Sequence, residues 1–119
     1  MKNLNKIKRL KFLRRQRRTR AKIKGSSIKP RLSVFRSLTN ISVQAIDDLN
    51  HKTLVATSSK ELKKKKGNKV EIANLVGELM GKKLIEKKIK EAVFDKGAYK
   101  YHGRVKALAD GIRKSKIKF

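Results

Sequence analysis

The chain has 119 residues, the size of one domain with an appended tail, and its 35 Lys and Arg against 9 Asp and Glu give a formal charge of +26 at pH 7. Unbalanced charge of this size repels itself unless a polyanion neutralises it, so nucleic acid is the leading partner and an anionic membrane surface a distant second. The lack of cysteine excludes disulfides, thiolate zinc sites and thiol nucleophiles, and no apolar run approaches the roughly 20 residues of a membrane span.

A basic arm forms the first predicted segment, over residues 1–28. It holds 12 cations and no acid between Met1 and Lys24, and apolar residues recur at every third position from Leu4 to Leu13 as a faint helical stripe. Repulsion between like charges predicts an arm that is unfolded alone and ordered by phosphates. A solvated tail and an organelle transit peptide are the alternatives, and the lack of serine before Ser26 disfavours the transit peptide. We therefore favour an RNA-binding arm.

Three short strands follow a linker over residues 25–30 and open the single domain predicted for residues 29–119. Alternation of apolar and polar residues predicts the strands over 31–36, 41–46 and 53–57. One sheet face carries the apolar members Leu32, Val34, Ile41, Val43 and Ala45. The opposite face shows Ser33, Phe35, Ser42 and Gln44. This second face suits either water or RNA, and its aromatic ring is equally compatible with a second small apolar cluster.

A packing helix is predicted next, after a polar loop whose four-lysine run at 63–66 we interpret as solvated surface. Asn68 and Glu71 resemble an N-terminal cap and its reciprocal carboxylate. Apolar residues at helical spacing follow them and indicate a face buried in the core. Gly77 and Gly81 weaken this helix, each by about 1 kcal/mol relative to Ala, and we expect them to let it approach the sheet closely.

The central stretch is a buried strand over 92–94 that leads into a loop and then a helix beginning near Gly103. A helix N-terminus directs backbone N–H groups and a positive dipole end at a ligand. In the loop, Tyr99 and Tyr101 flank Lys100, and aromatic rings stack on unpaired bases while cations hold the backbone. The alternative buries one of the two tyrosines under the last helix. We interpret the loop as a site for phosphates and bases.

The element order is arm, β, β, β, α, β, α, which predicts an α/β fold built as a two-layer sandwich. Three strands form an antiparallel meander, and the fourth lies parallel to the first through a right-handed crossover. Both helices cover one face of the sheet. The apolar last residue of the tail over 114–119 is expected to be docked or frayed.

The acidic residues give little support for a catalytic function. Only Asp47 or Asp48 with Asp95 could serve a metal-ion nuclease. A hairpin turn favours acids at 47 and 48, and an ion pair beside His102 and Arg104 explains Asp95 equally well. The histidines lack metal-ligand spacing, and no glycine-rich phosphate loop is present. We predict no enzyme, no cofactor and no metal, and we keep a generic DNA-compacting protein and a nuclease as the second and third hypotheses.

Four stretches together resemble a known family: Pro30–Ser37, Ile46–Asp48, Val93–Gly97 and, above all, Tyr99–Asp110. They are similar to bacterial-type large-subunit ribosomal protein eighteen, and the likeness extends over nearly the whole chain. The resemblance implies a structural protein that binds 5S rRNA and helps attach it to 23S rRNA in the central protuberance. It further implies neighbouring ribosomal proteins as partners, no membrane, and a place in the cytoplasmic ribosome of a bacterium or in an organellar ribosome.

The predicted RNA contacts fall into three groups. The arm neutralises phosphates along an RNA groove with Arg9, Arg14, Arg15, Arg17, Arg18, Arg20, Lys22 and Lys24. The first two strands present a face or edge to 5S rRNA with Arg31, Ser33, Phe35, Arg36, Ser37 and Gln44. The loop contacts backbone and bases together with Lys96, Gly97, Tyr99, Lys100, Tyr101, His102, Gly103, Arg104 and Lys106. Specificity is expected to come mainly from RNA shape, because A-form grooves hide base edges.

Overall fold

A computed structural model describes residues 4–62 and 67–119, so the four-lysine run at 63–66 lies outside the described residues. The helices are α1 (Leu4–Arg20), α2 (Lys69–Glu86) and α3 (Arg104–Arg113). The strands are β1 (Arg31–Arg36), β2 (Ile41–Asp47), β3 (Lys52–Ser58) and β4 (Val93–Asp95). A short 3-10 turn over Ser59–Glu61, within the segment predicted as a polar loop, follows β3. The described helices include none long and apolar enough to cross a bilayer.

The four strands form one sheet in the order β3-β2-β1-β4, as predicted. Both hairpin pairs are antiparallel, and β4 runs parallel to β1. Leu32 lies opposite Ala45 and Val34 opposite Val43, and all four side chains are buried. The apolar alternation therefore assigned the buried face correctly.

The two carboxyl-terminal helices cover that buried face and complete a single apolar core. From α2, Val76 and Met80 are fully buried, and from α3, Leu108 and Ile112 are fully buried. The predicted sandwich with both helices on one side is thus confirmed. These aliphatic side chains stabilise the domain by roughly 1.5–3 kcal/mol each through removal from water.

The glycines of α2 face α3, and the prediction that they bring the helix close to the sheet is wrong. A Cβ atom at Gly77 would collide with the carbonyl oxygen of Leu108, and one at Gly81 would collide with Ser115. Gly111 on α3 completes the contact, because a Cβ there would strike the carbonyl of Asn74. The glycines therefore permit backbone-to-backbone packing between the two helices.

The element ends show how local sequence sets their bounds. Asn68 caps α2 through its side-chain oxygen, which accepts the N–H of Glu71 at 2.9 Å. Gly103 caps α3 with a φ of +56°, a conformation that glycine adopts without steric penalty. The tail is docked, since Ile117 is buried and the ring of Phe119 stacks on that of Phe94 at 5.6 Å.

Strand β3 lies at one edge of the sheet, and a lysine covers part of that edge. Lys83 Nζ donates to the carbonyl oxygen of Ala56 at 3.0 Å and to Glu61 at 2.7 Å. The hydrogen bond from Lys83 lowers the pKa of the Glu61 carboxyl. The edge therefore carries an ion pair.

The arm is a helix, α1, where the sequence predicted an unfolded segment that phosphates would order. Lys, Arg, Leu and Gln are strong helix formers, and the segment contains neither Gly nor Pro. None of the residues of α1 is buried. Its side-chain contacts with the body include Phe12 against Tyr99 and Arg20 near Asp48. Helix propensity and these contacts favour the helix, while like-charge repulsion opposes it. The ordering of the arm by phosphates stays a prediction.

Candidate nucleic-acid interface

A groove of about 570 Å³ lies between α1 and the loop that joins β4 to α3. Its lining residues come from the arm, the end of β1 and the loop: Phe12, Arg15, Arg36, Lys96, Ala98, Tyr99, Lys100 and His102. In this described part of the chain the lining contains four permanent cations and two aromatic rings but no acid. Such a surface attracts phosphates and offers rings to bases.

Tyr99 connects three elements at the centre of this groove. Its hydroxyl accepts the N–H of Arg36 at 3.2 Å and donates to the carbonyl oxygen of Arg36 at 3.3 Å. The Arg36 guanidinium lies over the Tyr99 ring, 4.8 Å from its centroid, and the Phe12 ring meets it edge-on at 5.7 Å. Tyr99 is therefore half-buried among protein partners.

Tyr101 is the more open of the two tyrosines, with 40% of its surface exposed. Its ring meets Phe94 edge-on at 5.8 Å, and its hydroxyl accepts a hydrogen bond from Arg113 of α3 at 3.0 Å. Neither ring is fully buried under the last helix: Tyr99 is half-buried and packs against the core, and Tyr101 is exposed. Tyr101 is consequently the better placed ring for stacking on a base.

The loop backbone is held at both ends by residues of the predicted set. Asp95 accepts the N–H of Gly97 at 2.8 Å, and Gly97 has a φ of +63°. At the other end, Arg104 donates to the carbonyl oxygen of Ser37 at 2.7 Å, which ties the loop to the β1–β2 turn. Burial, together with repulsion from Arg36, lowers the pKa of Arg104. The first turn of α3 carries no acid, so its N-terminus is free to accept an anion.

The polar sheet face presents an exposed aromatic ring beside this groove. Phe35 is 64% exposed, so the alternative that places it in a second apolar cluster is wrong. Gln44 is exposed, and Ser33 and Ser37 are partly exposed. A smaller cleft of about 360 Å³ separates this face from α1 and is lined by both.

Arg31 is the one predicted contact residue that the structure removes from the surface. It is 4% exposed, and its Nε and Nη2 donate to the two carboxylate oxygens of Asp48 at 3.0 and 3.1 Å. Its Nη1 donates to Asp95 at 2.8 Å. Burial opposes its charge, but these ion pairs outweigh burial and raise the pKa of Arg31. The predicted role of Arg31 as an RNA contact is therefore corrected, and Arg31 is a structural residue.

The same ion pairs correct the predicted surroundings of Asp95 and oppose the nuclease hypothesis. The partner of Asp95 is Arg31, not His102 or Arg104. The hydrogen bond from Arg31 lowers the pKa of Asp48 to about 2. Asp47 lies in the β2–β3 turn, where its carboxylate accepts the N–H of Leu49. A nuclease would need these carboxylates for its metal, whereas the Arg31 guanidinium binds Asp48 and Asp95, and Asp47 accepts hydrogen bonds within its own turn. Residues 4–62 and 67–119 contain no group of three potential metal ligands.

The arm cations predicted to meet phosphates are all exposed in the structure: Arg9, Arg14, Arg15, Arg17, Arg18, Arg20, Lys22 and Lys24. On the loop, Lys96, Lys100, His102 and Lys106 are exposed as well. The sequence analysis missed Phe12, which forms part of the groove wall. The available signal was that Phe12 is the only aromatic residue before Phe35.

The two-layer sandwich with its cationic groove has the features of a nucleic-acid-binding protein, and its acids Asp48 and Asp95 are held in ion pairs with Arg31. The family described as "Ribosomal L18 of archaea, bacteria, mitoch. and chloroplast" matches residues 6–119. The chain belongs to this ribosomal L18 family, and the resemblance noted in the sequence is confirmed.

Bacterial relatives are similar over almost their full length. The chain is 49% identical over 120 residues to large ribosomal subunit protein uL18 of Finegoldia magna, covering 99% of this chain and 95% of that protein. It is 53% identical over 112 residues to the uL18 of Clostridioides difficile, covering 90% and 91%, and 55% identical over 108 residues to that of Clostridium perfringens, covering 89% and 90%. The chain is thus a structural, non-enzymatic protein of the large ribosomal subunit, of the bacterial cytoplasmic type, with ribosomal RNA and neighbouring ribosomal proteins as partners.

Proposed function

We propose that this chain binds 5S rRNA and helps attach it to 23S rRNA in the central protuberance of the large subunit, beside the other proteins of that region. Membership of the ribosomal L18 family supports the proposal. The observation that carries it is the groove between α1 and the loop after β4, whose lining, among the residues that the structure describes, combines four cations with two rings and no acid. Cations hold the phosphate backbone, and rings favour unpaired bases over a uniform duplex.

Two parts of the chain share this task in the proposal. The arm, residues 1–28, supplies phosphate neutralisation, since its cations are exposed along α1. The body, residues 29–119, supplies the specific surface. Within the body, Tyr101 and Phe35 offer the exposed rings, and the N-terminus of α3 offers backbone N–H groups. Recognition rests mainly on the shape of the RNA, because A-form grooves hide base edges.

The test is competitive binding at moderate salt to 5S rRNA, a length-matched scrambled RNA and duplex DNA of equal length. The full chain is measured beside a Lys100→Ala, Tyr101→Ala double variant, which removes an exposed cation and an exposed ring from the loop. The matched control is Lys82→Ala with Ile85→Ala. It removes one cation and one exposed apolar side chain from α2, which packs on the opposite face of the sheet.

The proposal predicts a clear preference of the full chain for 5S rRNA. The loop variant should reduce this preference by about 1–3 kcal/mol, the value of one stacked base, while the control keeps it. Equal binding to the two RNAs would contradict the 5S assignment. Equal binding to RNA and DNA would favour a generic compacting protein.

A further inference from the structure

The ring of Tyr101 lies outside the groove, at the edge of the sheet that β4 forms. In the described part of the chain, the lining of the groove includes Tyr99 but not Tyr101. The Tyr101 ring instead meets Phe94 of β4 edge-on, with 5.8 Å between the ring centroids. Strand β4 is the outermost strand on that side of the sheet. A base that stacks on Tyr101 would therefore lie beside the groove and not within it.

Two further residues hold this tyrosine, one from α3 and one from the tail. Arg113 donates from Nη1 to the Tyr101 hydroxyl at 3.0 Å and from Nη2 to the main-chain oxygen of Phe119 at 2.9 Å. Its guanidinium also lies over the Phe119 ring, 4.4 Å from the centroid. The Phe119 ring stacks on Phe94 at 5.6 Å, with 14° between the ring planes. In these four side chains, the tyrosine cluster, Phe94 and Arg113 each contact both Tyr101 and Phe119.

The tail that carries Phe119 is itself anchored to the body. Ile117 is 3% exposed and belongs to the apolar core. The main chain of Lys118 pairs with the residues before β4. Its N–H donates to the carbonyl oxygen of Lys90, and its carbonyl oxygen accepts the N–H of Ala92, both at 2.9 Å. Phe119 therefore joins the tyrosine cluster from a backbone that is held in place.

We propose that Phe119 and Arg113 are positioning residues for RNA recognition, which hold the exposed Tyr101 ring as a platform for one unpaired base. The inference rests on the proposed function. Tyr101 keeps 40% of its surface open, while a planar guanidinium fixes its hydroxyl and an edge-on contact fixes its ring. A ring that is already oriented avoids the entropy lost when a mobile side chain is ordered on binding. Phe119 thus acts through Tyr101 and not by contact with RNA.

Two substitutions separate positioning from electrostatics. Phe119→Leu removes the ring stack but keeps an apolar side chain at that position. Arg113→Lys keeps the positive charge but loses the planar pair of donors that reaches Tyr101 and Phe119 at the same time. Because neither variant changes the net charge, electrostatics alone predicts unchanged binding to every nucleic acid.

Positioning predicts that each variant binds 5S rRNA about twofold to tenfold more weakly, the cost of ordering one side chain on binding. Binding to duplex DNA of equal length, which offers no unpaired base, should not change. The matched control for fold stability is Val55→Ala, which removes buried apolar atoms from β3 at the opposite edge of the sheet. This control should bind 5S rRNA as the unsubstituted protein does, and circular dichroism checks that all variants keep the fold.

A double-mutant cycle with Tyr101→Ala tests whether Phe119 acts through the tyrosine. Removal of a stacking ring should weaken 5S rRNA binding by roughly fivefold to 150-fold. If Phe119 acts only through that ring, Phe119→Leu has no further effect in the Tyr101→Ala background, so the two losses do not add. Additive losses, or an equal loss in Val55→Ala, would overturn the positioning role.

The orientation of the ring can be measured in the free, full-length protein by NMR with selectively labelled tyrosine. The chain has two tyrosines, and Tyr101→Phe assigns their ring signals. In the unsubstituted protein and in Val55→Ala, the Tyr101 ring should show magnetisation transfer with Phe94, and this transfer should weaken in Phe119→Leu and Arg113→Lys. Unchanged transfer in both variants would overturn the positioning role. Absence of any 5S preference in the unsubstituted protein would refute the proposed function instead, and the free-protein spectra would still decide whether the two residues orient Tyr101.

Discussion

Replacing Arg31 with methionine should destabilise the fold far more than the loss of any surface cation. The substitution keeps much of the side-chain volume but leaves Asp48 and Asp95 facing each other without the guanidinium that now binds both. Arg31 and Asp95 are each 5% exposed, so the stranded carboxylates cannot regain full hydration. Removing one partner from a buried ion pair costs about 3–5 kcal/mol.

This loss is large against the total stability of a small domain, which is roughly 5–15 kcal/mol. For a domain of this size about 1 kcal/mol lowers the Tm by roughly 4–8 °C, so a loss of about 3–5 kcal/mol in Arg31→Met should lower it by roughly 12–40 °C. Arg36→Met is the control, because Arg36 is exposed and its removal should cost less than about 1 kcal/mol. Thermal unfolding followed by circular dichroism measures both variants.

The pH dependence tests the cause of this loss. The pKa of Asp48 in the folded protein is about 2, below its usual value of 3.8, so its contribution is complete above about pH 4 and is lost as the pH falls through 2. In Arg31→Met the Asp48 carboxylate loses the partner that favours its charge, and protonation of Asp48 at mildly acid pH relieves it. The stability difference between the two proteins should therefore shrink from about pH 5 downwards, at constant ionic strength. A difference under about 1 kcal/mol at pH 7, or one that does not change with pH, would refute the reasoning.

Two further predictions concern the helix contact and the salt dependence of binding. Gly77→Ala should destabilise the protein by about 1–3 kcal/mol, because its Cβ meets the backbone of Leu108, which cannot move aside as a flexible side chain would. Urea unfolding measures the loss of stability. The control is Lys82→Ala at an exposed position, which should change stability by less than about 0.5 kcal/mol. If the arm and the loop neutralise about 8 phosphates, the logarithm of the RNA association constant should fall with the logarithm of salt concentration at a slope of about −6 to −7. Titrations from low to moderate salt measure the slope, and a value near zero would contradict binding through the cationic groove.

The sheet and its two packed helices could be predicted from sequence because their signals are local. Leu32 and Val34 alternate with polar neighbours, and alternation of this kind both identifies a strand and selects its buried face. Asn68 marks the start of α2 by a cap that depends on residues three positions apart. Such patterns need no knowledge of the tertiary structure.

The misassigned residues depend on partners far along the chain. Arg31 begins a strand in a basic protein and so resembles a surface cation, but its partners Asp48 and Asp95 lie 17 and 64 residues away. The role of Phe12 depends on its contact with Tyr99, and the sequence of the arm does not indicate that contact. Tertiary contacts therefore decided which cations face outward and which aromatic rings line the groove.

The ion pair on the edge of the sheet bears on how the protein avoids self-association. A free copy, at +26, is kept away from other copies by repulsion, but a polyanion that neutralises this charge removes that protection. Strand β3 would then be a template for pairing with another exposed strand. Lys83 already donates a hydrogen bond to the carbonyl oxygen of Ala56 and is paired with Glu61. The exposed Lys52 places a further charge on the strand. The edge is thus protected against strand-to-strand aggregation by groups whose effect does not depend on the net charge of the molecule.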